Sequence, residues 1–214
     1  MDKGSKKLLI AIAVIIGLFA LGFLSRFVYN NPTGAVTIDE LHKMNLEGKT
    51  SDINYVYNGF SFVYVDNLWY TQVQRNDDTL LDVPLHFGPK DLEDIPVTGR
   101  INEQFKQPVM YVTFDPTGSN LKFVALSSAE LSLNLAKGIE VLPIAACDKN
   151  ETRACMNRPI VTCEDEDKAV IYLKQTNSTG AVRLKGNCVE VLGDEWELVK
   201  AVDRFLLQWY QVMK

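Results

Sequence analysis

The pattern of hydrophobic and polar positions divides the chain near residue 30. Leu8 to Leu24 is an unbroken run of seventeen uncharged apolar residues. At ~1.5 Å per residue it makes about 25 Å of helix, a little short of a hydrocarbon core of roughly 30 Å, and Phe27, Val28 and Tyr29 extend it. Lys3, Lys6 and Lys7 precede the run, and short basic flanks stay in the cytoplasm. The pattern therefore predicts a cytoplasmic basic tail (1–7), a transmembrane signal-anchor helix (8–29), a tether with a short helix (30–54) and an extracytoplasmic domain (55–214). Two other fates of the same run are open. Ala20-Leu21-Gly22 offers small residues for a signal peptidase, but the run exceeds the usual ~7 to 15 residue apolar core of a cleaved signal. A cut after Lys3-Gly4 would make a pilin-like filament subunit, although no Glu stands early in the helix.

Beyond the run the periods change. Asn30-Asn31-Pro32-Thr33-Gly34 ends the first helix, because Pro lacks an amide hydrogen. Thr37 to Met44 predicts a short helix with Thr37 and Glu40 as a capping box, Gly48 as its end and His42 as a solvated residue. From Tyr55 to Gln74, aromatic and β-branched residues alternate around Asn58-Gly59 and Asp66-Asn67. This predicts a hairpin of Gly59–Val65 with Leu68–Gln74, placing Phe60, Phe62, Tyr64, Trp69, Thr71 and Val73 on one face. Leu80–Phe87 reads as a third strand held to an edge or bulge by Pro84. A small strand begins at Val97.

Val109–Phe114 is an apolar strand, Asn120–Lys137 is helical in period and ends at Gly138, and Glu140–Ala146 returns as a strand, which makes a β-α-β unit. Ala169–Lys174, Ala181–Leu184 and Cys188–Leu192 follow with short connections and predict an antiparallel meander. Residues 194–212 form a terminal helix with one broad apolar face, Asp194 and Glu197 making its capping box and Asp203-Arg204 an ion pair at its surface or edge, unless Arg204 reaches a carboxylate inside the layer. The fold class is therefore α/β (α+β): a mixed or antiparallel sheet covered by two main helices.

Charge narrows the partners. Four of the 22 Lys and Arg, and one of the 27 Asp and Glu, precede residue 31, leaving 18 basic against 26 acidic residues outside. That balance argues against nucleic acid, whose phosphates require a basic surface. An even count of four cysteines, Cys147, Cys155, Cys163 and Cys188, all beyond the span, reads as two disulfides. Of three possible connectivities, Cys147 with Cys155 and Cys163 with Cys188 is favoured, because it staples a polar loop and ties strand ends. The spacing lacks the close pairs of a zinc site. Asn150-Glu151-Thr152 and Asn177-Ser178-Thr179 are glycosylation sequons facing outward.

Catalytic chemistry has weak candidates. The turn DPTGSN (115–120) lacks the glycine spacing of a P-loop or a dinucleotide fold, and it reads as an ordinary helix cap rather than a phosphate site. The acidic run 164–167 lacks the alternating ligands of a calcium loop. His86 reads as structural, with a charge that responds near neutral pH. A hydrolase would need Ser127 or Ser128 with a histidine, or a carboxylate pair such as Asp115 and Glu130. No cofactor is expected.

The segments CDKNETRACMNRPIVTC, AVIYLK, GNCVEV and VKAVDRFLLQWY together resemble a group of uncharacterised, single-pass, membrane-anchored proteins of small-genome archaea, over most of residues 55–213. The resemblance implies the location and the two disulfides, and it brings no catalytic residue. The expectation is a cell-surface, non-enzymatic module held in the bilayer by residues 8–29, binding an envelope protein or glycan. An extracytoplasmic hydrolase and a filament subunit are the alternatives.

Overall fold

The computed structural model describes Ile12, residues 14–22, 36–75 and 78–214. It has two compact units, Met1–Thr37 and Ile38–Lys214. In the first, Ile12 and residues 14–22 are helical and exposed. Among the described residues no helix is long and apolar enough to cross a membrane. Residues 8–11, 13 and 23–29 of the expected span lie outside the described residues.

The second unit is mixed α/β with two sheets. Helix α1 (Ile38–Leu46) precedes an antiparallel sheet of β1 (Asn54–Tyr57), β2 (Phe60–Val65), β3 (Leu68–Gln74) and β4 (Leu80–Leu85), paired in that order. The hairpin register places Phe62 opposite Thr71 and Tyr64 opposite Trp69, so the expected face is formed. Pro84 sits on β4 at the sheet edge, where its missing donor is tolerated.

The second sheet has six strands: β5 (Val97–Ile101), β6 (Val109–Phe114), β7 (Leu142–Ala145), β8 (Ala169–Gln175), β9 (Ala181–Gly186) and β10 (Cys188–Gly193), in the order β5-β9-β10-β8-β6-β7. Helix α2 (Leu121–Lys137) joins the parallel neighbours β6 and β7, and α3 (Trp196–Trp209) closes the fold. The expected meander is not what forms. β10 lies between β8 and β9, parallel to the first and antiparallel to the second. Burial explains the order. Every residue of β10 is buried, which suits a central strand, whereas β9 exposes Arg183 and Lys185 and is one strand from the edge.

One core joins both sheets to α2 and α3, uniting Phe62, Val83 and Leu85 with Leu131, Leu206, Ile171 and Val191. The opposite face of the six-stranded sheet packs Val170 and Cys188 against Ala146 and Val161 of the disulfide-bearing segment. Disulfides join Cys147 to Cys155 and Cys163 to Cys188. Such bonds persist in an oxidising compartment.

Sandwiched this way, α3 buries residues all round rather than along one face. Asp203 is 0 % and Arg204 5 % exposed, so the expected surface ion pair is incorrect. The two turn to different partners: Asp203 accepts from the Phe87 amide at 2.8 Å, while Arg204 donates to Gln208 and to the Lys214 carbonyl. His42, expected in solvent, is 2 % exposed. With Asn45 it docks α1 on the outer face of the first sheet, through Nδ1 to Ser61 Oγ at 2.8 Å. Too few apolar residues mark that helix face for the pattern to show it.

Candidate functional site

Two polar constellations stand out. One lies at the carboxyl ends of β6, β8 and β10. From β6 the chain passes through α2 to β7 on one side, while from β8 it runs past β10 to β9 on the other. The crevice between β6 and β8 is thus a topological switch point, where the outgoing loops part and leave room for a ligand. It has a volume of about 280 Å³ and is lined by Asp115, Gly118, Ser119, Tyr172, Lys174, Gln175, Asn177 and Asp194.

Its geometry is set by side chains diverted from capping. Asn120, the N-cap residue of α2, makes no side-chain cap bond. Its amide instead donates to both carboxylate oxygens of Asp194, at 3.0 Å each, and Gln175 adds a longer contact of 3.4 Å. Asp194 is thereby drawn away from the capping box expected at α3, and Glu197 accepts from the Gly180 amide. Helix α3 starts two residues later than the spacing predicted, with Glu195 at its N-cap in the left-handed region (φ 49°). The expected ordinary cap at DPTGSN is incorrect in the same way.

Asp115 is held by the Thr117 amide and hydroxyl and by Lys149 at 2.9 Å. Burial pushes its carboxyl up, but these donors together hold it below its ordinary range. Lys149 and Asp148 belong to the loop closed by Cys147–Cys155, and Tyr172 donates to Asp148 at 2.6 Å. Burial, then the bond to Asp148, pushes the Tyr172 phenol up. The disulfide loop therefore buttresses two lining residues of the crevice, Asp115 and Tyr172, without itself lining it.

The other constellation joins the end of β4 to the two main helices. His86 Nδ1 lies 2.7 Å from Glu130 Oε2, and its amide donates to the other oxygen at 3.1 Å. The bond to Glu130 raises the imidazole above its ordinary value against the effect of burial, and the charge of Glu130 adds to it. Asp203 is pushed well up by burial, then by the charge of Glu130 and a hydrogen bond shared with it. Trp196, 48 % exposed, packs on His86, Phe87 and Phe123. Both carboxyls also accept backbone amides from the segment leaving β4, so the array staples that segment to α2 and α3.

Of the sequence candidates, Asp115 and Glu130 do not form a pair; each has its own partner. Ser127 is fully buried, and its Oγ has no hydrogen-bond partner in the structure. Ser128 lies instead in an apolar groove with Ala125, Ala129 and Arg158. Asn150 and Asn177 are both exposed. Asp165 of the acidic run accepts from the Thr162 amide and Lys168. Asp194, Gln175, Tyr172 and Asn120 are the residues that sequence reasoning missed as a group. The available signal was the polar turn after each parallel strand. No known family, curated protein or solved structure matches the chain.

Proposed function

We propose that the protein is a membrane-anchored, extracytoplasmic, non-enzymatic binding module of the cell envelope, and that its ligand enters the crevice between β6 and β8. The single observation that carries this reading is the crevice itself, a polar recess at a switch point. The seventeen-residue apolar run and its basic flank support the anchor, and the disulfides support the outer location.

The experiment is to map amide shifts of the isotope-labelled full chain on addition of solubilised envelope material. The proposal expects perturbation of Tyr172, Lys174, Gln175 and Asn177, weakened in Asp194→Ala. Shifts confined to other regions would reject it.

A hydrolase is the second reading, favoured by the contact of His86 with Glu130 beside Asp203. Its weakness is the nucleophile. Ser127, one turn before Glu130 on α2, is sealed from solvent. Turnover of an ester, peptide or glycoside that His86→Gln abolishes would establish it.

A further inference from the structure

We infer that the crevice takes a neutral, hydroxyl-rich ligand, a single saccharide ring; this rests on the binding reading above. The inference comes from the balance of its lining rather than from its acidity. Asp115 is compensated by Lys149 at 2.9 Å, and Lys174 stands in the same lining as Asp194. With Asp148 behind Tyr172, three carboxylates stand against two lysines, so an anion gains nothing from entry.

Hydrogen-bonding capacity, by contrast, is left over in both senses. A carboxylate has about four lone-pair sites. Asp194 receives two contacts from Asn120 and one long contact from Gln175, and Asp115 receives two from Thr117 and one from Lys149. The Gln175 Oε1 atom is buried with no hydrogen-bond partner in the structure. It lies against Gly118, where any Cβ would collide with it. Lys174, Ser119 and Asn177 supply donors. Acceptors facing donors across a recess that does not attract anions suit groups that both give and accept, which is what sugar hydroxyls do. The volume of about 280 Å³ falls at the small end of ligand sites, enough for one ring rather than a chain.

The test is an amide-shift titration of the full chain in a detergent without a sugar headgroup. Thr179→Ala is built into every sample to remove the Asn177 sequon, so that an attached glycan is not mistaken for a ligand. The probes are glucose, galactose, mannose and N-acetylglucosamine, with citrate and spermidine as charged probes. The inference expects at least one sugar to perturb Tyr172 to Asn177 and Asp194, with affinity falling about tenfold in Asp194→Asn. Lys174→Ala serves as a second variant if that protein does not fold. Tighter binding there of citrate or spermidine overturns the saccharide class while leaving a binding crevice. No perturbation of these residues by any probe overturns the saccharide inference. In that case envelope material that still shifts them would preserve the binding reading, and its failure would end both.

Discussion

The amide of Asn120 spans both carboxylate oxygens of Asp194, at 3.0 Å each, and so ties the first turn of α2 to the end of β10. Two helix N-termini are held together by this one pair. Breaking it removes a charge-assisted bond worth ~1.5 to 3 kcal/mol. Asn120→Ala is expected to lower stability by about that amount in urea denaturation and to broaden the amide signals of Ser119 and Gln175. An unchanged midpoint would mean that the pair is not maintained in solution.

The two histidines are expected to act in opposite directions with pH. His86 is raised in the folded state by its bond to Glu130, so its contribution is fully present below the ordinary value of 6.5 and is lost as pH rises through the folded value. His42 is lowered by burial, against the raising effect of Asp82 and Asp39, so its contribution is present above 6.5 and is lost as pH falls toward the folded value. Denaturation of His86→Gln at a series of pH values should show a deficit at pH 5 that shrinks in alkaline solution. His42→Gln should remove stability mainly above neutrality.

Burial and then the charge of Glu130 push Asp203 well up, which favours its protonated form. An amide then reproduces its shape and charge. Asp203→Asn should cost less than ~1 kcal/mol, whereas Asp203→Ala, leaving the Phe87 amide unpaired, should cost about 1 to 3 kcal/mol. Equal losses in urea denaturation would show that the carboxyl is ionised.

The disulfides should separate stability from binding. Chain entropy assigns roughly 3.5 kcal/mol to the longer Cys163–Cys188 closure and roughly 2.5 kcal/mol to Cys147–Cys155. Removing the longer bridge should lower the thermal midpoint more. Removing the shorter one frees the loop bearing Asp148 and Lys149, and should cost more of the response to envelope material. Thermal melts and shift mapping on the two double-serine variants measure the difference.

Much of the fold was legible because local periodicity decided it. The β2–β3 hairpin follows from Asn58-Gly59 and Asp66-Asn67, and α2 ends at Gly138 as the sequence indicates. Strand order was not legible. The short turn at Asn187 favours a hairpin of β9 with β10, but only the uniform burial of β10 shows that it also pairs with β8. The site was legible in pieces: Asp115 and the turn after it were marked, and Asp194 was read as a cap. What joins them is a contact between residues 74 positions apart, Asn120 with Asp194, which no local spacing encodes. His42 and Asp203 were misplaced because a polar residue on the packed side of a helix looks, in sequence, like its solvent face.

The most direct test of the central claim is site-specific photo-crosslinking in the cells that make the protein, with the probe placed at Lys174, at His86 or at the exposed Glu103. One dominant adduct is expected from position 174, reduced by Asp194→Ala, with little from the other two positions. Equal adducts from all three, or a dominant adduct from position 86 alone, would contradict it.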